Sequence, residues 1–487
     1  MTTATYTRQQ DDDRPREECG VFGIYAPNED VARATYFGLF ALQHRGQESA
    51  GIVVGDGQIL RVQRGMGLVS QVFDESAMQQ LQGFLAVGHC RYATTGESSA
   101  RNAQPMTITA GSMLPESATP FALAHNGNLV NTAALALELH AAGLPLSAGS
   151  DSEVILRLIA HTPGASWQER LIAALPRLRG AFSLVMASPS ELFAARDPWG
   201  IRPLCLGRLG EDWVVASESC ALDSIGAVLV RDIEPGEIIR IEAGVLTSMR
   251  FADPTPRMCS FEFIYFARPD SIIEGRRVYS ARVALGKQLA IEQPAEADLV
   301  IPVPDSAVAM AVGYAQQSGI PYCEGLIKNR YIGRTFIAPT QHQRDLGSRI
   351  KYNPLTDEIT GKRLVVIEDS IVRGTTSKPL VAMLRRAGAT EIHLRIGSPP
   401  YRHPCHLGMD TGRTEELIAA HNTVEEIRRH IDADSLGYLS IDGLVKGIDR
   451  PANLFCRACL DGKPPMAYED TPAAKVRGDL VLPMARR

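Results

Sequence analysis

Residues 363–377 read "RLVVIEDSIVRGTTS", and this stretch decides how the second half of the chain folds. Leu364 to Ile367 form an unbroken apolar run, the pattern of a strand buried on both faces. The run delivers two adjacent acids, Glu368 and Asp369, to the strand's carboxyl end. Gly374 follows, then Thr375, Thr376 and Ser377, which open a helix. A glycine loop presenting backbone N–H groups at a helix N-terminus is a phosphate cradle, and the three hydroxyls add donors. Paired carboxylates beside it suit a sugar diol or a magnesium ion held by one. The G-x-x-x-x-G-K-[ST] pattern of a Walker loop is absent. A solvated turn with capping hydroxyls accounts for Thr375 but leaves the acid pair unexplained.

Working outward, "DLVIPVP", "KRLVVIED" and "EIHLRIGS" read as strands. They alternate with the helical stretches "SAVAMAVGYAQQSG", ended by Gly319, and "TTSKPLVAMLRRAG". That rhythm means βαβ crossovers and a mainly parallel sheet, whose ligands bind beyond the strands' carboxyl ends. "PVPDSAVAMA" repeats the strand-to-helix pattern with Asp305 and Ser306, and a basic stretch, 326–354, suits a lid over an anionic substrate. The 363–377 stretch resembles the phosphoribosylpyrophosphate (PRPP) loop of the type I phosphoribosyltransferases. The resemblance implies that Arg373, Gly374, Thr375, Thr376 and Ser377 hold the 5-phosphate, and that Glu368 and Asp369 hold the ribose hydroxyls. It also implies Mg2+ near Ser306, Glu368 and Asp369, with Lys328 and Arg330 reaching the substrate from the basic stretch. Many members carry two Asp where this chain has Glu368 first.

The 487 residues exceed one ordinary core, so two large domains are expected, with a boundary near the Pro-rich "FADPTPRM" at 251–258. A net charge of −5 gives no basic surface for nucleic acid. No run approaches the roughly 18 apolar residues of a membrane span. The leader "MTTATYTRQQDDDRPREE" lacks the apolar core of a secretory signal and is more acidic than a mitochondrial presequence, which leaves the cytoplasm. In that reducing compartment the nine cysteines are not a disulfide framework.

The first half is a series of short apolar runs broken by glycine, expected to form sheets covered by helices. One helix opens with a Ser150-x-x-Glu153 capping-box pattern. Its motifs "CGVFGIY", "LQHRGQESAGI", "GHCRYATTG", "AHNGNLVN" and "SDSEVI", in that order, each resemble one of the class II glutamine amidotransferases, which are N-terminal-nucleophile (Ntn) hydrolases with an αββα core. Such chemistry needs a nucleophile, a base and oxyanion donors. A thiol beside an α-amino group meets the first two needs, and Cys19 gains that amine only when the leader is removed. The resemblance implies that Cys19 is the nucleophile and that Asn126 and the Gly127 N–H stabilise the oxyanion. It further implies that Arg91 grips the glutamine α-carboxylate and Asp151 the α-ammonium. Taken singly, Asn126-Gly127 also reads as a hairpin turn and Asp151 as a helix cap.

Cys456-x-x-Cys459 with the distant Cys259 and Cys405 fits a four-cysteine zinc site or an iron–sulfur cluster, and spacing does not separate them. "MCSFEFIYFARPDS", "HPCHLGMD" and "FCRACLDG" resemble the iron–sulfur subgroup of the glutamine PRPP amidotransferases, in which four Cys hold a [4Fe–4S] cluster behind a removable leader. The resemblance implies a propeptide 1–18, a class II amidotransferase domain 19–255, a phosphoribosyltransferase domain 256–465 and a tail 466–487. Glutamine and PRPP would be the substrates, purine nucleotides feedback inhibitors, and the assembly a homotetramer. Two alternatives share part of this pattern. Another class II amidotransferase would lack the PRPP loop, and a non-catalytic PRPP-binding regulator would not need Cys19.

Overall fold

Cys19 leads into the strand Gly20–Tyr25, which is buried along its whole length. The computed structural model describes residues 19–92, 99–109, 119–147, 149–329, 352–409, 411 and 413–467. Side chains alternate across the strand. Val21 faces inward, where it packs with Leu85 and Val87 of its own sheet and with Ala124 and Val185 of a second, while Phe22 and Ile24 face Leu39 of the helix Val31–Ala41. Burial on both faces is why the sequence here is apolar without a polar side.

The first sheet has seven antiparallel strands in the order Val228–Asp232, Cys205–Leu209, Asp212–Ala216, Gly20–Tyr25, Leu85–Arg91, Ser49–Gly55 and Leu60–Met66. The second has six, ordered Val245–Arg250, Glu237–Glu242, Glu191–Arg196, Gly180–Ala187, Phe121–Leu129 and Met106–Ile108, again antiparallel. Its outer face, with Phe121, Leu123 and Phe182, is covered by the helices Thr132–Ala141, Asp151–His161 and Trp167–Ala174. The layers are therefore helix, sheet, sheet, helix, the αββα arrangement expected of an Ntn hydrolase.

In the second half, Leu299–Pro302, Arg363–Glu368, Glu391–Ile396 and Ser435–Tyr438 form a wholly parallel sheet in that order. Val365 and Ile367 face the helices Val278–Glu292, Val308–Ser318 and Ile441–Ile448. Leu364 and Val366 face Ser377–Arg386 and Val424–Ile431. The helices Val278–Glu292 and Val308–Ser318 meet backbone to backbone. A Cβ on Gly286 would stand 1.9 Å from the Met310 carbonyl oxygen, and one on Gly313 would stand 2.0 Å from that of Val283.

The halves are joined by buried charge. The fully buried Arg45 guanidinium pairs with Glu218 from the first half and with Glu262, 2.6 Å away, from the π-helix Glu262–Phe266. Burial alone would lower the arginine's pKa, but the two carboxylates raise it above its ordinary value. Asn128 donates to the His406 carbonyl at 2.8 Å and Arg202 to that of Leu407 at 2.6 Å.

Candidate functional site

Two polar centres and one thiol-lined cavity emerge from this framework. In the first centre, Gly20 pairs with Cys90 across the sheet, so Cys19 and Arg91 leave their strands at the same end. Both are buried, and the charges that the Cys19 thiol feels are those of Arg91, Asp151 and Glu48. Burial pushes the thiol up to about 11, and Sγ donates to the Tyr92 carbonyl at 3.5 Å. At neutral pH it is therefore a protonated, unreactive thiol.

Asn126 and Gly127 lie inside the strand Phe121–Leu129 and not in a hairpin turn. Gly127 has φ +143°, and a Cβ there would stand 2.1 Å from the Ala181 carbonyl oxygen, so the strand kinks where only glycine fits. The Asn126 amide Nδ2 is buried with no hydrogen-bond partner among the described residues. Such an orphan donor costs about 1–3 kcal/mol, and it points to an acceptor that arrives with a ligand. Asp151 is the first residue of its helix, and Ser150 is the cap, accepting from the Glu153 N–H. The Glu153 carboxylate accepts instead from Ser147 N and Oγ, both at 2.8 Å, a different use from the reciprocal bond that the capping-box pattern suggests. Burial opposes ionisation of Asp151, but the His125 imidazole at 3.7 Å and the Leu129 N–H hold it below its ordinary pKa.

Beneath these residues lies a polar network that the sequence reading leaves unassigned. The His125 N–H donates to Gln104, Gln104 donates to Ser152 Oγ, and His89 Nε2 meets the His125 carbonyl at 3.1 Å. All four side chains are buried, and burial pushes His89 down to about 3, so it is neutral. The signal was a histidine within an apolar strand in two of the quoted motifs, a feature shared with ordinary core histidines.

The second centre stands at the carboxyl end of the strand Arg363–Glu368. Glu368 and Asp369 are both buried. Ser377 donates to Glu368 at 3.2 Å, Ser370 donates to Asp369 at 2.7 Å, and Ser306 reaches Asp369 from the neighbouring strand-to-helix turn. The structure thus brings Ser306, Glu368, Asp369 and Ser377 together. Lys328 pairs with Asp305, and Arg373 with Glu416 at 2.8 Å, a partner not anticipated. Gly374 has φ +75°, and a Cβ there would stand 2.7 Å from Ile418 Cδ1. Thr375 is exposed and Thr376 half-buried in the turn before the helix, which starts at Ser377. Arg330, with the rest of 330–351, lies outside the described residues.

Cys259, Cys405, Cys456 and Cys459 all line one cavity, beside Arg202 and His406. The strand Met258–Cys259 runs parallel to Phe455–Cys456, which sets Cys259 opposite Cys456. None is in a disulfide. Burial pushes Cys259 and Cys456 up to about 12, and the other three thiols add to the rise at Cys459. Among the described residues no three His, Cys, Asp or Glu side chains are grouped as ligands of a single metal ion.

Residues 89–224 match the family described as glutamine amidotransferase domain. The chain is 53% identical over 471 residues to an amidophosphoribosyltransferase of Mycobacterium tuberculosis, covering 94% of this chain and 88% of that protein. It is 47% identical over 461 residues to that of Bacillus subtilis, covering 93% and 96%. A solved glutamine PRPP amidotransferase from B. subtilis, complexed with ADP and GMP, superposes with a TM-score of 0.87 at 46% identity over 93% of this chain and 98% of that one. A likeness of this strength over both halves is decisive: the chain belongs to the amidophosphoribosyltransferase family.

Proposed function

We propose that the chain converts glutamine, PRPP and water into 5-phosphoribosylamine, glutamate and pyrophosphate, the entry reaction of purine synthesis. The observation that carries this reading is the buried Asn126 amide, without a hydrogen-bond partner among the described residues, in a domain whose buried Cys19 thiol feels the charges of Arg91 and Asp151, in a chain that also holds an acid-plus-glycine phosphate loop. Cys19 Sγ attacks the glutamine side-chain carbonyl carbon, and the oxyanion is received by Asn126 Nδ2 and the Gly127 N–H. The C–N bond then breaks with a proton supplied by the α-amine of Cys19, and water hydrolyses the thioester to glutamate. Arg91 and Asp151 hold the glutamine head group. Ammonia attacks the anomeric carbon of PRPP as the bond to pyrophosphate breaks.

The amine exists only when residues 1–18 are gone, and the high pKa of the buried thiol leaves the uncut chain with little thiolate at neutral pH. We take 19–255 as the donor domain, 256–465 as the acceptor domain and 466–487 as a tail. In the acceptor site Arg373 to Ser377 hold the 5-phosphate, Glu368 and Asp369 the ribose hydroxyls, and Lys328 and Arg330 the pyrophosphate. Mg2+ would sit by Ser306, Glu368 and Asp369, an all-oxygen donor set of the kind it favours, and would neutralise the departing pyrophosphate. Four thiols from three chain segments around one cavity fit the all-sulfur ligation of a [4Fe–4S] cluster, which would tie those segments together and take no part in the chemistry. We take the enzyme to be a cytoplasmic homotetramer inhibited by purine nucleotides, and the ADP and GMP held by the B. subtilis structure support the nucleotide part of that reading. The test is pyrophosphate release from PRPP by processed protein, with glutamine and with ammonium. Release with neither nitrogen source overturns the proposal.

A further inference from the structure

Glu48 is a charged neighbour of the nucleophile for which no role has been assigned. Its backbone is fixed to that of Arg91. The Glu48 N–H donates to the Arg91 carbonyl at 3.0 Å, and the next residue, Ser49, is Arg91's partner in the sheet. Its carboxylate stands 3.9 Å from the Arg91 guanidinium, and Oε2 is buried without a hydrogen bond among the described residues. The side chain as a whole is 26% exposed, so the group is reached by solvent and is not sealed in the core. Two features of this pair are informative. An Arg–carboxylate contact is normally short and often bidentate, whereas this one is long and leaves an oxygen unsatisfied. An anion beside Cys19 also opposes formation of the thiolate.

We infer that Glu48 balances the buried Arg91 charge until glutamine arrives, gives up the guanidinium to the substrate's α-carboxylate, and then accepts a hydrogen bond from the substrate's α-ammonium. The inference rests on the reading that Arg91 holds that carboxylate. The α-carboxylate and α-ammonium of an amino acid share one carbon. A carboxylate within 4 Å of the group that binds the first is therefore within reach of the second. The incoming ammonium supplies the countercharge that Glu48 loses, and it offsets the unfavourable field at the thiol only when substrate is in place. Glu48 thereby joins Asp151 in selecting an amide that carries a zwitterionic head over one that carries a carboxylate alone. A site built around a polar contact rejects the analogue lacking it far more strongly than an apolar pocket rejects a missing methylene.

The experiment compares glutamine with glutaric acid monoamide, which is glutamine without its α-amino group, as substrates of processed wild-type, Glu48→Gln and Glu48→Asp proteins. Ammonium-dependent pyrophosphate release, which draws on the second-half site, is measured alongside as the check on folding. In Glu48→Gln, kcat/KM for glutamine should fall by about tenfold or more, chiefly through KM, while that for the monoamide changes by less than about threefold. Glu48→Asp keeps the charge and should keep most of the preference for glutamine. Equal losses for both substrates in Glu48→Gln, or no loss for either, would overturn the inference, as would a Glu48→Asp protein as indifferent as Glu48→Gln. Failure of the wild type with ammonium overturns the proposed function itself, and is a separate result.

Discussion

Individual side chains in the first centre are set up for a partner that the described residues do not supply. Asn126 is the clearest case, and its truncation separates binding from chemistry. Asn126→Ala should lower glutamine-dependent kcat by about 10²–10³, some 2.7–4 kcal/mol, with KM nearly unchanged, because the donor acts only on the developing oxyanion. Steady-state glutaminase kinetics check this. Cys19 gives a prediction with a sign. Its thiol is raised to about 11 by burial, so alkylation of the uncut chain by iodoacetamide should climb about tenfold per pH unit up to that value. Processed protein should react at markedly lower pH, since the new amine takes the proton. Identical pH profiles before and after processing would contradict the role given to the amine. Cys19→Ala should abolish turnover with glutamine and spare it with ammonium, whereas Asp369→Asn should depress both by about 2–4 kcal/mol of transition-state stabilisation.

At the scale of elements, much was legible because backbone chemistry leaves marks in sequence. The run Leu364 to Ile367 with Glu368 and Asp369 behind it announced a central parallel strand, and Gly319 marked a helix end that the structure places at a left-handed C-cap. Ser435–Tyr438 escaped notice because a four-residue strand containing Gly437 has too short an apolar run to register. Pairings between distant residues were illegible for a different reason. Nothing local says that Cys259 stands opposite Cys456, that Glu416 takes Arg373, or that Gln104 props His125, since each depends on how remote elements pack. The glycines of the Val278–Glu292 and Val308–Ser318 crossing make the same point with a number. Gly286→Ala gains about 0.5–1 kcal/mol from helix propensity. Overpacking costs about 1–3 kcal/mol, and a Cβ placed 1.9 Å from a carbonyl oxygen belongs at the upper end. A net destabilisation of about 2 kcal/mol should appear in chemical denaturation.

Across the whole molecule, the junction is governed by charges that solvent does not screen. Burial opposes ionisation of Glu218, but Arg45 and His44 hold it far below the carboxylate range. A carboxylate depressed in the folded state contributes stability above its unfolded pKa of about 4.3 and loses it as pH falls further. Thermal unfolding should therefore drop steeply below about pH 4 in the wild type and less steeply in Glu218→Gln, which starts from a lower midpoint. Glu262→Gln removes one partner of a fully buried pair, and its cost should be about 3–5 kcal/mol. The Arg45 arrangement also bears on lineage and on engineering. The charge balance around Arg45 is completed across the junction by Glu262, so the place where the chain passes from one sheet system to the next is not a place where it can be cut and rejoined freely. A chimera that takes residues before 250 from one family member and those after 260 from another inherits Arg45 and Glu218 from the first and the second carboxylate partner, Glu262, from the other. Exchange between relatives is open only to pairs that keep both signs, and the two halves are bound to change together.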